Sequence, residues 1–164
     1  MAYEQRRQGG GARRGNDRGD RGRGGRDDRP HGPSLDTGGI VLRPQDNGAL
    51  NPDLFDAVAK RTAEVIAADR YRNKPSQLRQ FYDELVMWEE KVRQSPERFA
   101  EYLPFIRMLN AKAAYAEGRR HVDGNFVELI AHCLGQVSDE RTLRNFKLFF
   151  EAFLGFYKLE RPSG

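Results

Sequence analysis

After residue 50 the apolar positions recur at helical spacing, and nowhere do they alternate with the two-residue period of a strand. Asn51-Pro52 reads as a helix start, an N-cap followed by proline at the first helical position. Leu54, Phe55, Val58, Ala59, Val65 and Ile66 follow, and the pattern ends near Arg70. Pro75 opens a second helix, in which Leu78, Phe81, Leu85, Trp88 and Val92 form one apolar stripe. Ser95-Pro96 starts a third. Pro104 is expected to kink or divide it, and the segment resumes through Phe105, Met108, Leu109 and Tyr115 to a C-cap at Gly118. A short fourth helix covers about Asn125 to Leu134, and Ser138 caps a fifth that runs to about Leu159. In the fifth, Leu143, Phe146, Phe150, Phe153 and Tyr157 repeat at 3-4 spacing, while Phe149, Leu154 and Phe156 widen the apolar face. A helix this apolar must be enclosed by neighbours. The pattern predicts an all-α fold, a compact bundle of about five helices joined by short connections.

The first fifth of the chain behaves differently. Residues 1–34 hold almost no large apolar side chain beyond Met1 and Tyr3 and are dominated by Arg, Gly and Asp. Such a stretch cannot bury enough surface to offset backbone ordering, roughly 1–2 kcal/mol per residue, so it reads as a disordered tail. Its repeated Arg-Gly suits loose binding to nucleic acid, or simply solubilises the terminus. Residues 35–50, with Gly38-Gly39, Pro44 and Asn47-Gly48, read as a linker whose Ile40-Val41-Leu42 either packs on the domain or forms a brief strand. The organisation expected is therefore tail 1–34, linker 35–50, helical domain 51–160 and a short end 161–164.

Charge sharpens this division. The tail carries 9 Arg against 5 acidic residues, and the remainder 19 basic against 19 acidic, so the whole formal charge of +4 resides in the tail. The pI therefore says little about the helical part. A single cysteine, Cys133, permits no internal disulfide, and no run approaches the roughly 20 apolar residues of a membrane span. With no apolar signal-peptide region at the N-terminus, a cytoplasmic location is expected, with no membrane partner.

Candidate chemistry is sparse. His121, His132 and Cys133 are suitable metal-ligand types, but they have no recognised ligand spacing. His132 and Cys133 are adjacent, so on a helix they point about 100° apart. Asp83-Glu84 and Glu89-Glu90 read as solvated helix faces, and no nucleophile elbow or phosphate loop is present. No catalytic, metal or cofactor site is expected. Basic residues carry more. Lys112, Tyr115 and Arg119 share one helix face beside Met108. They either pack their stems on apolar surface or present a basic edge to a phosphate backbone. Arg120, Arg141, Arg144 and Lys147 extend that edge if the third and fifth helices lie side by side. Arg79, early in the second helix, is a further candidate, aided by the positive end of that helix.

Three segments together resemble the small subunit of type III-A CRISPR effector (Csm) complexes. Ser76-Gln77-Leu78-Arg79-Gln80-Phe81-Tyr82 is similar to that family's Ser-Gln-Ile-Arg-Lys-Phe helix opening. Lys112 to Arg119 resembles its Lys-x-x-Tyr-x-x-Gly-Arg signature, and Phe150 to Lys158 its C-terminal aromatic helix. The resemblance spans about Asp53 to Leu159. It implies a non-catalytic five-helix subunit of an antiviral ribonucleoprotein, stacked in several copies along the guide RNA (crRNA) and target RNA duplex. The expected partners are both RNAs, neighbouring copies, the backbone subunits and the large subunit. RNA cleavage, DNA cleavage and cyclic oligoadenylate synthesis belong to other subunits. The resemblance marks Arg79, Lys112 and Arg119 as RNA-facing, whereas Arg120, Arg141, Arg144 and Lys147 follow from helix geometry. The alternative is a helical adaptor that assembles protein subunits without touching RNA. Family members usually begin near the first helix, so the fifty residues ahead of it here have no counterpart to borrow from.

Overall fold

The computed structural model describes residues 32–162, so the Arg/Gly-rich stretch up to residue 31 and the last two residues lie outside the described part. Within it stand five α-helices and no strand. The first helical segment starts at Leu54 with Asp53, not Asn51, at the N-cap and no side-chain cap; Asn51 forms a turn ahead of it, its Oδ1 accepting from the Asp53 N–H and its carbonyl from the Leu54 N–H, both at 3.0 Å. The first turns are nonetheless wide, a π segment over Leu54–Val58, before helix α1 (Ala59–Ala67). Helix α2 (Pro75–Gln94) starts at the predicted proline. Helix α3 (Phe99–Gly118), preceded by a single 3-10 turn at Pro96–Arg98, is not divided at Pro104. Pro104 and Ala100 are both exposed, so the Ala100 carbonyl that loses its helical donor still faces solvent.

Helix α4 (Gly124–Gln136) is capped by Asp123, which accepts from the Phe126 N–H at 2.9 Å. Helix α5 (Glu140–Glu160) begins one residue later than Ser138 suggests. Asp139 is the N-cap, in a reciprocal capping box with Thr142, while Ser138 only donates its N–H to Thr142 Oγ1. Gly118 is likewise not the left-handed C-cap residue. That position falls to Arg120 (φ 61°), with Arg120 N–H bonded to the Glu117 carbonyl and His121 N–H to the Ala116 carbonyl. This is the paired bonding of a Schellman ending, built without glycine.

α5 packs against α1 and α2, and α3 packs against α4 and, less closely, α2. The seams meet in an aromatic cluster. Phe150 of α5 stands edge-on to Phe126 of α4, Phe146 and Phe153, and Phe126 stands edge-on to Phe81 of α2. Phe126, Phe146, Phe150 and Phe153 are fully buried, so truncating one to alanine costs about 3–5 kcal/mol.

The segment read as a linker is part of the fold. Leu35, Ile40 and Leu42 are buried in the same core, without forming a strand. Its backbone is held by α4 and α5 side chains. Asn125 bonds the Leu35 N–H and the Pro33 carbonyl, Gln136 bonds the Leu42 N–H and the Ile40 carbonyl, and Asn145 bonds the Leu42 carbonyl. A segment with no strand partner thus has several of its backbone polar groups satisfied by side-chain amides and others by its own turns.

Candidate nucleic-acid interface

The geometry of the interface follows from where α2 runs. It forms a ridge with a groove on either flank. One groove, of about 380 Å³, lies between α2 and the C-terminal half of α3 and includes Gln77, Glu84, Met108, Lys112 and Tyr115. The other, of about 590 Å³, lies between the start of α2 and the end of α5 and includes Ser76, Arg79, Tyr82, Glu151 and Lys158.

The seven predicted basic residues do not form one edge. α3 and α5 do not pack side by side, because α2 and α4 lie between them. The condition placed on Arg141, Arg144 and Lys147 therefore fails, and these three are not a continuation of the α3 edge. Arg141 donates to the Gly48 carbonyl at 3.1 Å, beside the docked 35–50 segment. Arg144 is exposed on the first turns of α5. Lys147 pairs at 3.8 Å with Glu151, which lines the α2/α5 groove. Arg79 opens onto that same groove, the opposite flank of α2 from Lys112.

Lys112 lies in the C-terminal half of α3, and Arg119 and Arg120 follow just past its last residue. Their electrostatics differ. Lys112 Nζ lies 2.5 Å from Glu84 Oε1 across the groove, so its charge is largely matched. Arg79 is matched in the same way by Asp83 at 2.8 Å and lies over the Tyr82 ring. Arg119 has no carboxylate partner among the described residues; its Nη1 donates to the Tyr115 hydroxyl at 3.1 Å and its guanidinium lies 5.7 Å from that ring's centre. Arg120 is exposed and likewise lacks a carboxylate partner among the described residues. A cation with no carboxylate beside it is available to an incoming phosphate at full charge.

Lys158 was overlooked as a site residue. It lines the α2/α5 groove with Arg79, but its helical strip alone reads as a solvated face.

The remaining candidates have structural places. His132 Nε2 sits 2.8 Å from the Ile40 carbonyl and helps hold the docked segment. Cys133 is fully buried, and burial pushes its thiol up. Among the described residues no three His, Cys, Asp or Glu side chains cluster as metal ligands. Of the paired carboxylates, Glu89 is buried rather than solvated, with Arg93 3.8 Å away. No helix among the described residues is long and apolar enough to cross a membrane.

The model of one protein family, Csm2 Type III-A, matches residues 50–163. No curated protein and no solved structure matches the chain.

Proposed function

This chain belongs to the Csm2 type III-A family of structural small subunits of CRISPR effector complexes, and on that premise we propose that it contacts the guide RNA–target RNA duplex through backbone-directed basic residues. It does so without catalysing a reaction, in several copies stacked along a cytoplasmic antiviral complex and beside the backbone and large subunits. Base pairing between guide and target supplies sequence specificity, so the protein needs only to recognise backbone and shape.

The observation that carries this reading is the end of α3, where Arg119 and Arg120 are adjacent, exposed and without carboxylate partners among the described residues. Arg120 adds weight. It holds a left-handed backbone where glycine relieves strain, and strain kept at one position points to use of its side chain. Lys112 joins them once Glu84 yields it. Arg79 reaches RNA from the other flank of α2, with Arg141, Arg144 and Lys147 as separate, weaker contacts.

The test is a salt series. Changing Lys112 and Arg119 together to alanine should weaken RNA binding by the assembled complex and lower its logarithmic salt slope by about one per lost phosphate contact. Equal affinity at every salt concentration would rule these residues out. The adaptor alternative draws on Phe105 and Met108, large apolar side chains left exposed on α3. It predicts that charged replacements there block assembly while the basic replacements change nothing.

A further inference from the structure

The α2/α3 groove has a chemistry that a phosphate backbone alone does not explain. α3 is apolar on nearly all sides yet buries only Ile106, Leu109, Ala113 and Ala116. Its uncovered stripe reads Phe105, Met108, Lys112, Tyr115 and Arg119, with spacings of three and four, and Met108, Lys112 and Tyr115 of it line the groove toward α2. Tyr115 is 66% exposed, and its hydroxyl accepts from Arg119 Nη1 at 3.1 Å. Across the groove, α2 presents Gln77 and Gln80, one helical turn apart. Neither side-chain amide has a hydrogen-bond partner among the described residues. The one ion pair within the groove, Lys112–Glu84 at 2.5 Å, neutralises its centre. Arg119, which has no carboxylate partner among the described residues, adjoins the groove through its contact with Tyr115.

We propose that this groove receives an unpaired nucleobase of the bound RNA, with its face on Tyr115, its edge against the Gln77 and Gln80 amides, and its phosphate on Arg119. This rests on the RNA-contact reading above and deepens it. A neutral centre disfavours phosphate and favours a base, whose edge alternates donors and acceptors as carboxamides do. An exposed aromatic face beside cations is the arrangement by which single-stranded nucleic acid is held. The volume, about 380 Å³, lies at the small end of ligand sites and suits one nucleotide, not a helix of RNA. A base reaches it only when unstacked, at a bulge, an end or a nucleotide displaced from the hybrid. An apolar helix from a protein neighbour fits less well, because it offers the two glutamine amides no partners.

The experiment uses the full chain and three labelled RNAs: a single strand of ten adenosines, a perfect duplex, and the same duplex with one bulged adenosine. Fluorescence anisotropy measures each affinity for the parent, Tyr115→Phe, Tyr115→Leu and Gln77→Ala/Gln80→Ala. Tyr115 is exposed, and circular dichroism verifies that each variant is folded. Tyr115→Leu should weaken the single strand and the bulged duplex by about tenfold and leave the perfect duplex unchanged, with Tyr115→Phe close to parent. The glutamine pair should weaken the bulged duplex selectively. If Tyr115→Leu leaves all three affinities unchanged while Lys112→Ala/Arg119→Ala lowers them, the base site is overturned and backbone contact stands. If the parent binds none of the three, the base site is overturned, while backbone contact is decided by the salt series on the assembled complex. If Tyr115→Leu spares RNA binding but stops association with other copies or subunits, the groove is a protein contact and the proposal is overturned.

Discussion

Replacing Asn73 should destabilise this fold more than any surface cation does, and three substitutions separate the reasons. Asn73 is fully buried with φ 55°, in the loop between α1 and α2. All its polar groups are engaged. Its N–H donates to the His121 carbonyl at 2.9 Å, and its Nδ2 donates to the Ile66 carbonyl at 3.0 Å. Its Oδ1 accepts from the Asp123 N–H at 2.9 Å, and its carbonyl accepts from the Tyr157 hydroxyl. One residue thus ties the end of α1, the α3–α4 turn and the end of α5. Asn73→Gly keeps the backbone freedom but strands the buried Ile66 carbonyl and Asp123 N–H, at about 1–3 kcal/mol each. Asn73→Ala loses the same two bonds and adds the left-handed penalty of a Cβ, roughly 1 kcal/mol. Asn73→Asp keeps the acceptor but turns a carboxylate oxygen toward the Ile66 carbonyl, placing two acceptors face to face in a buried site. Urea unfolding followed by circular dichroism, extrapolated linearly, gives each difference. The expected order is parent, then Gly at about 2–6 kcal/mol, then Ala about 1 kcal/mol lower again. If Ala lies within 0.5 kcal/mol of parent, or above Gly, the hub does not exist as described.

Three further outcomes test other links. Arg120→Gly should raise stability by about 1 kcal/mol in the same unfolding assay, by relieving the left-handed position, while weakening RNA binding; a variant that is no more stable refutes the strain argument. Glu84→Gln removes the partner of Lys112 and should tighten RNA binding by up to about fivefold at low salt, the worth of one exposed ion pair, as read by anisotropy. Hydrogen bonds from the Thr142 backbone and side chain hold the Asp139 carboxyl below the usual range. A carboxyl depressed on folding adds stability above its unfolded pKa, about 3.9, and that stability is lost as pH falls through the lower folded value. Asp139→Asn should therefore flatten stability against pH in that acid window, and an unchanged acid limb would contradict the assignment.

The helical class, the number of helices and the buried face of α2 and α5 were legible from local rules, whereas in α3 the expected stripe failed: Phe105, Met108 and Tyr115 are exposed and only Leu109 is buried. Proline at the start of α2, the 3-4 stripes and the aromatic run of α5 act within a turn or two, and one sequence displays them. Helix starts shifted by only a residue at Asp139, because Ser and Asp are both competent caps and the choice turned on which one Thr142 reciprocates. The family was legible too, in three short segments whose order no single pattern supplies.

Whatever joins residues far apart in the chain was not legible. Residues 35–50 have linker composition, yet Asn125, Gln136 and Asn145, about ninety to one hundred residues away, bind their backbone. A gathered edge of six cations was a reasonable reading of two helices taken singly, and it failed because α2 and α4 separate α3 from α5. The sequence by itself determined which residues are charged and which face of each helix is apolar, since helical geometry converts spacing into direction. Tertiary structure alone decided which cations have a carboxylate beside them, because pairing depends on the distance between elements: Glu84 matches Lys112 across a groove, while Arg119 and Arg120 meet only a tyrosine and solvent.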